Sequence, residues 1–468
     1  MSIRFFNTMT RQLEPFKPIH PGEARLYTCG PTVYNFAHIG NFRAYVFEDV
    51  LRRYLKYRGY KVFQVMNITD VEDKIIRTHR ETGQSRAEIS EPFIQAFHED
   101  RQTLNVESAE AYPKASEHIA RMVAIIQKLL EKGIAYRGED GSIYYSIAKF
   151  PAYGRLAHIQ VEELKSGARV AHDEYDKERA SDFALWKAWD EKDGDIYWET
   201  ALGKGRPGWH IECSAMSMEL LGSHFDIHTG GEDNIFPHHE NEIAQSEAYT
   251  GEKFVNYWLH CKHLLVENQK MSKSTGNFYT LRDLLDKGYS ATAIRYVYVS
   301  SQYNRPLNFT LDDLSAKSRA VQGLMDFLRR LRDWKGAGGV SEEFKGLLNL
   351  ARTGFEAAMD DDMNTPEALE ALFILEREIN KRQVDMTEAE AKAALDFYLD
   401  VDRVLGLKLE TVLKAESLDV RIQGLVDERE AARKAKDWKK ADQLRDALKA
   451  EGVVLEDTPQ GVRWKKAS

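Results

Sequence analysis

ARLYTCGPTVYNFAHIGNFRAYVFEDVLRRYLKYRGYKVFQVMNITD, residues 24–70, contains one full alternation of secondary-structure signals. ARLYTCG (24–30) is strand-like and stops at Gly30-Pro31. RAYVFEDVLRRYLKYRG (43–59) has apolar residues at 46, 47, 50, 51, 54 and 55, a helical stripe closed by Gly59. YKVFQVMNITD (60–70) returns to a strand pattern. Strand, helix and strand in this order form a βαβ unit, which predicts an α/β fold built on a parallel sheet of the nucleotide-binding kind.

Outward from this unit the text changes twice. Residues 118–196 read as one helix, then GSIYYSI, Gly/Pro breaks and mixed polar sequence, as expected of an insertion. Strand and helix signals resume through HFDIHTGG and PHHENEIAQSEAY, and WLHCKHLLV (258–266) predicts a further strand. From about 311 the chain is helical by period, with one break at KGAGGVSEE (335–343). GVVLEDTPQGVRW (452–464) predicts a small hairpin.

A chain of 468 residues exceeds one ordinary core, so two to four domains are expected. Its 43% hydrophobic and 30% charged content is that of a folded, water-soluble protein. No apolar run reaches membrane length and the start lacks a signal-peptide core, so the expected location is the cytoplasm, with no membrane partner. Three cysteines (Cys29, Cys213, Cys261) are too few and too scattered for a disulfide framework, which leaves metal binding, catalysis or burial. The net charge of −9 argues against indiscriminate nucleic-acid binding. Yet residues 421–468 carry 12 Lys/Arg against 9 Asp/Glu, so a basic tail on an acidic body points to a polyanion touched at one end, or to a solvated helix surface.

Three stretches carry chemistry. His38-Ile39-Gly40-Asn41 stands between a strand and a helix, where backbone N–H groups and the helix dipole favour a phosphate. A capping turn with an incidental histidine is the plainer alternative. VENQKMSKSTGNF (266–278) is a polar loop with Lys270 and Lys273, suited to stabilising charge on leaving pyrophosphate, although exposed Lys/Ser loops are common. In PHHENEIAQ (237–245) a helix is expected after Pro237. His238 and Glu242 then share a face while His239 points elsewhere: half a metal site, or an ordinary i,i+4 pair on a surface helix.

A strand–HIGN–helix near the start and KMSKS after the last sheet strand resemble the paired signatures of class I aminoacyl-tRNA synthetases. Within that class the sequence is similar to the cysteinyl-tRNA synthetase family. The resemblance runs through CGPTVYNFAHIGN, NITDVEDKII, GRPGWHIECSAMS, HFDIHTGGEDNIFPHHENEIAQSEA, KMSKSTGNF, MDDDMNTPEALEALF and VVLEDTPQGVRW, essentially the whole chain. Asn41 stands where the general pattern has a second histidine; an amide still donates to phosphate.

The resemblance implies a cysteine–tRNA ligase activity: ATP-dependent activation of L-cysteine to cysteinyl-adenylate and transfer to tRNA-Cys, by a monomer. It implies His38, Asn41, Lys270 and Lys273 as catalytic groups, joined by Gly40 and Asp233 in binding ATP, which enters with Mg2+. Thr69, Trp209 and His228 would surround the cysteine, although Trp209 as a packed aromatic competes with that role. One Zn2+ per chain would be held by Cys29, Cys213, His238 and Glu242, which are sound zinc ligand types. Cys261, between His260 and His263, is a rival that the family pattern demotes to a packed strand cysteine.

Zinc suits a cysteine enzyme because a shape-only pocket separates near-isosteres such as cysteine and serine by only ~10²-fold. A borderline-soft metal binds the thiolate and not the neutral hydroxyl. Four protein ligands normally mark a closed structural site, so this role needs a ligand that yields, Glu242 first; a purely structural zinc is the alternative.

The resemblance also implies a Rossmann-type catalytic domain at 1–117 and 197–252, split by a connective insertion at 118–196. A connecting fold with the KMSKS loop (253–318), a helical bundle (319–410) and a small mixed α/β anticodon-binding domain (411–468) follow. The acids of MDDDMNTPEALEALF are expected to cap a helix near Pro366 and to play no catalytic part. Two other activities remain open: a ligase joining activated cysteine to the amine of a small metabolite, and a non-catalytic zinc-containing RNA-binding protein.

Overall fold

The computed structural model describes residues 2–159, 182–272, 276–382, 385–414, 416–435, 437–458 and 461–466. Its centre is a four-stranded parallel sheet in the spatial order Val255–Cys261, Phe225–Gly231, Glu23–Thr28, Lys61–Met66. The expected βαβ unit is present: the helix Ile39–Tyr57 crosses between Glu23–Thr28 and Lys61–Met66. It buries Val46, Phe47, Val50, Leu51, Tyr54 and Leu55, the stripe visible in the sequence. Its chain turns out at Gly59 with φ 88°, a conformation that favours glycine. All four strands run parallel, but the order in which they are added reverses at Glu23–Thr28: Lys61–Met66 joins one side of it, and Phe225–Gly231 and then Val255–Cys261 the other. The crevice at their carboxyl ends is therefore a topological switch point, where open α/β sheets bind ligands.

The insertion is a five-stranded antiparallel sheet, ordered Ala135–Arg137, Ile143–Tyr145, Phe183–Ala188, Gly203–Pro207, Trp198–Thr200. It therefore runs past the expected limit at 196, because Gly203–Pro207 pairs with Phe183–Ala188. The segment 258–266 is likewise two strands, not one. Val255–Cys261 completes the parallel sheet, whereas Leu264–Val266 joins a small second sheet with Gln269–Lys270 and Leu307–Phe309. Glu267 and Asn268, both with positive φ, make the tight turn that sends the chain into the KMSKS segment.

Four long helices follow: Leu311–Arg332, Glu342–Asp360, Thr365–Lys381 and Glu388–Leu405. The expected break at 335–343 falls between the first two. Asn364, not an acid, caps Thr365–Lys381 through the N–H of Glu367. The acids instead bind the bundle to the catalytic body. Asp360 accepts from Tyr54 Oη and Arg58, Asp361 pairs with Arg4, and Asp362 accepts from the Phe6 N–H and from Tyr303 and Asn304. Beyond them, the helices Glu416–Lys434 and Trp438–Ala450 and the hairpin Val453–Thr458/Gly461–Lys466 form a unit with its own apolar cluster of Ile422, Val426, Leu448 and Val453. Among the described residues no helix is long and apolar enough to cross a membrane.

Arg295 is the central joint between body and bundle. Its fully buried guanidinium donates to Leu405 O (2.7 Å), Leu104 O (3.0 Å) and Asn105 O (3.2 Å), and pairs with Asp49. Removing one partner of a buried ion pair strands the other charge. Arg295→Met is expected to cost ~3–5 kcal/mol, read as a lowered urea midpoint for unfolding. An unchanged midpoint would show that Arg53, which also reaches Asp49 at 2.7 Å, suffices to hold it.

Candidate active site and metal centre

Cys29 follows the strand Glu23–Thr28 directly, at the switch point. Its Sγ, an imidazole nitrogen from each of His238 and His239, and a carboxylate oxygen of Glu242 all lie within 4.8 Å of one another. Cys29 Sγ is 3.2 Å from His239 Nε2, and Glu242 Oε1 is 3.0 Å from His238 Nε2 and 3.9 Å from His239 Nε2. Glu242 Oε1 is nevertheless buried without a hydrogen bond, since the His238 nitrogen approaches it out of alignment. Sulfur, imidazole and carboxylate converging on one point around an unpaired oxygen fit a divalent cation better than a hydrogen-bonded cluster.

Two differences from expectation stand out. His239 points into the cluster: His239 and Glu240 keep helical dihedrals, so His239 is the i,i+3 neighbour of Glu242 as His238 is its i,i+4 neighbour. Counting only four residues back from Glu242 therefore overlooks His239. Cys213, on the helix Trp209–Leu221, stands beside the tightest set and meets it through Cys29. A hydrogen bond from Cys213 pulls the Cys29 thiol down to about 6, against burial and with help from His238. Cys213 in turn is pushed well above its usual range by Cys29 and by burial. The pair thus readily supplies one thiolate.

Buried groups fix the orientation of these donors. His210 Nδ1 lies 2.9 Å from His238 Nδ1, leaving His238 Nε2 to face Glu242. His239 Nδ1 is 2.8 Å from His260 Nε2, whose other nitrogen is 2.7 Å from Thr8 Oγ1. His228 Nε2 is 2.9 Å from Glu242 Oε2. Such outer partners hold a ligand's ring and tautomer. Burial lowers the His210, His239 and His260 imidazoles, which keeps them neutral. Burial also opposes the charged form of His238, but Glu242 and Cys29 outweigh it and raise its pKa.

His38 turns out to be a cap and remains able to bind phosphate. Its Nδ1 accepts from the Asn41 N–H and Asn41 Oδ1 accepts from the His38 N–H, both at 3.1 Å, a reciprocal box at the start of Ile39–Tyr57. The bond to Nδ1 assigns the proton to Nε2, and the cap uses neither that N–H nor the Asn41 amide NH2. Burial lowers the His38 pKa, with Asp233 acting in the opposite direction from the turn Glu232–Asn234.

The KMSKS segment lies against this turn. Ile39 N–H donates to Tyr279 O (3.0 Å), His38 meets the Phe278 ring edge-on at 5.5 Å, and Met271 packs over Gly40. A Cβ on Gly40 would stand 2.8 Å from Met271 Cε and 3.1 Å from the His38 ring, so glycine is what permits this approach. Asn277 ties the loop's two ends, accepting from Ser272 N–H (2.8 Å) and donating to Lys270 O (3.2 Å). Lys270 is exposed on its strand; Lys273 lies outside the described residues.

The remaining expected residues fall on the same crevice in different roles. Trp209 is not packed in the core: it is 43% exposed and stacks on His238 at 4.6 Å. Thr69 is buried beside Cys29-Gly30-Pro31, its N–H donating to Pro31 O. His228 is fully buried behind Glu242 and stacked on Trp258, not on an open surface. Cys261 is buried, and His260 turns from it toward His239. Sequence reading missed Glu212, fully buried one residue before Cys213, whose carboxyl is pushed well above its usual range by burial and by Asp70.

Parallel sheet, switch-point crevice and two joined phosphate signatures define a class I aminoacyl-tRNA synthetase. Comparison with known proteins agrees. Residues 15–319 match the family of class I (C) tRNA synthetase catalytic domains, 354–410 the DALR domain, and 415–464 the cysteinyl-tRNA ligase anticodon binding domain. The cysteine–tRNA ligase of Brachyspira hyodysenteriae is 48% identical over 99% of both chains, and that of Protochlamydia amoebophila 49% identical over 99% of this chain and 98% of that one. The chain belongs to the cysteine–tRNA ligase family. In fold it is similar to Mycobacterium tuberculosis methionyl-tRNA synthetase in complex with methionyl-adenylate (TM-score 0.65, 13% identity, covering 84% of this chain and 93% of that one).

Proposed function

We propose that the switch-point crevice activates cysteine with ATP and passes it to tRNA-Cys, using a zinc ion held by Cys29, Cys213, His238 and Glu242, with His239 as a fifth donor in reach. The observation that carries the metal is the convergence of Cys29, His238 and His239 on Glu242 Oε1, a buried oxygen without a hydrogen bond, with Cys213 joined to them through Cys29. Zinc in this position supplies affinity for a thiolate and little for a hydroxyl. Glu242 is the donor best able to loosen, since His228 holds its other oxygen at 2.9 Å.

The protein's own groups do the rest. The cysteine carboxylate attacks the α-phosphorus of ATP, and pyrophosphate leaves as cysteinyl-adenylate forms. Positioning and charge stabilisation carry most of such a phosphoryl-group reaction. His38 Nε2–H and the Asn41 amide donate to the phosphates beside the helix N-terminus, and Lys270 and Lys273 meet charge on the leaving group. Asp233 accepts from the ribose. Trp209 covers the cysteine beside His238, and Thr69 closes the other side; His228 serves through Glu242. Mg2+ enters with ATP. Transfer RNA is a cytoplasmic substrate, which supports a cytoplasmic enzyme, and one chain carries every group named, which a monomer can use.

ATP–pyrophosphate exchange with each amino acid in turn tests this directly: cysteine alone should support it. A cut after residue 414 separates tRNA charging from activation. Val412 is buried and its carbonyl accepts from Arg332, so the cut belongs beyond it, while the unit that follows has its own core. Trp438 there is 60% exposed, whereas Trp464 is tied to Gln423, so Trp438 is the better stacking platform for an unpaired base. Exchange should persist while charging falls on the order of 10²-fold, and tRNA binding by the full chain should weaken as salt rises. Undiminished charging by the shortened chain would remove the C-terminal unit from the tRNA-recognition surface.

A further inference from the structure

Two of the three ionic groups of a cysteine substrate have partners in this reading: the thiolate has the metal donors, and the carboxylate the phosphorus it attacks. The α-ammonium group has none. Trp209, Glu212 and Cys213 stand at i, i+3 and i+4 of the helix Trp209–Leu221, and so line one face of it. Trp209 stacks on His238 and Cys213 lies against Cys29, which puts Glu212 at the rim of the metal centre. Glu212 is 1% exposed, and the Thr69 hydroxyl is the nearest donor to its two carboxylate oxygens, neither of which makes a well-formed hydrogen bond.

Its surroundings ask for a cation. Asp70 and Glu72 carry the same sign as Glu212, and Arg206, the cation that acts on it, is committed to Asp73 (2.7 Å) and Asp193 (3.0 Å). Thr69 is the neighbouring hydroxyl. Its Oγ1 already accepts from Asn67 Nδ2 at 3.1 Å, which leaves its own proton for Glu212 and a lone pair for a second donor. A buried carboxyl with only that one hydroxyl to meet it is costly, and an arriving ammonium is the group that would relieve it.

We propose that Glu212, together with the Thr69 hydroxyl, accepts the α-ammonium group of the substrate and so selects an α-amino thiol over a thiol that lacks the amine. This rests on the thiolate entering at the metal donors. Trp209, Glu212 and Cys213 would then read the ring-side, the amine and the sulfur of one small molecule from a single turn of helix.

The test uses the zinc-loaded full chain and two probes, L-cysteine and 3-mercaptopropionate, which keeps thiol and carboxylate but has no amine. In Glu212→Gln, cysteine should bind on the order of 10²-fold more weakly. The affinity for 3-mercaptopropionate, the KM for ATP and the zinc content should be unchanged. Equal losses for both probes, or no loss for either, would overturn the proposal. Should Glu212→Gln fail to fold, the native enzyme decides: cysteine must bind far more tightly than 3-mercaptopropionate, and equal binding rules Glu212 out. If the native enzyme binds serine, which keeps amine and carboxylate but has no thiol, as tightly as cysteine, the thiolate reading itself fails, and the amine site built on it falls too.

Discussion

Cys213→Ser and His238→Ala are each expected to lose most of their zinc, to activate cysteine at least ~10²-fold more slowly, and to discriminate poorly against serine. The cluster explains why both substitutions act. Cys213 holds the proton that allows Cys29 to be a thiolate, and a neutral serine hydroxyl in its place is a poor zinc ligand. His238 is fixed between His210 and Glu242 under the Trp209 ring, so its loss removes a nitrogen donor and the stacking partner of Trp209 together. Since shape alone separates near-isosteres by only ~10²-fold, the cysteine-to-serine ratio in pyrophosphate exchange should collapse toward that figure. Elemental analysis must accompany the kinetics. A zinc-free variant with full activity and full selectivity would make the metal structural or incidental.

How much of this was legible in the sequence depends on the range of the signal. The βαβ unit could be read because both periodicities are local: six apolar positions in 46–55 repeat as a helix does, and 24–28 and 61–66 are bounded by turn residues. The strands at 198–207 could not. WETALGKGRP is polar and glycine-rich, and only pairing with Phe183–Ala188 makes it sheet. The metal donors divide in the same way. His238 and Glu242 announced themselves by spacing, whereas Cys29 and Cys213 are joined only by the fold, and only the family resemblance linked them beforehand. His239 was misjudged because the count stopped at i,i+4, whereas His239 meets Glu242 as its i,i+3 neighbour. Glu212 left a faint trace that could have been used: one acid, three residues after a tryptophan, inside the otherwise apolar or small run IECSAMSM. A charge on a face that is wholly buried needs a partner, and no sequence pattern says which.

Lys273→Ala should slow adenylate formation by ~10²–10³-fold through kcat, with cysteine binding little changed. The described residues on either side of Lys273 are tied to the phosphate turn. Asn277 closes the segment from Lys270 to Asn277 into a loop, and Met271 rests on Gly40. Ile39 and Tyr279 then pin the returning strand to the helix start where His38 and Asn41 present their donors. Lys270 lies on the paired strand at one end of this segment, and the function proposed above sets the Lys273 ammonium against the leaving pyrophosphate. An ammonium in that position meets little charge on bound ATP that water and Mg2+ do not already meet. It meets far more as the bond to pyrophosphate breaks, so its contribution appears in the transition state and not in ground-state affinity. Single-turnover measurement of adenylate formation separates the two. If cysteine binding collapsed while the chemical step kept its rate, Lys273 would be holding the amino-acid pocket together and the role assigned to the loop would be wrong.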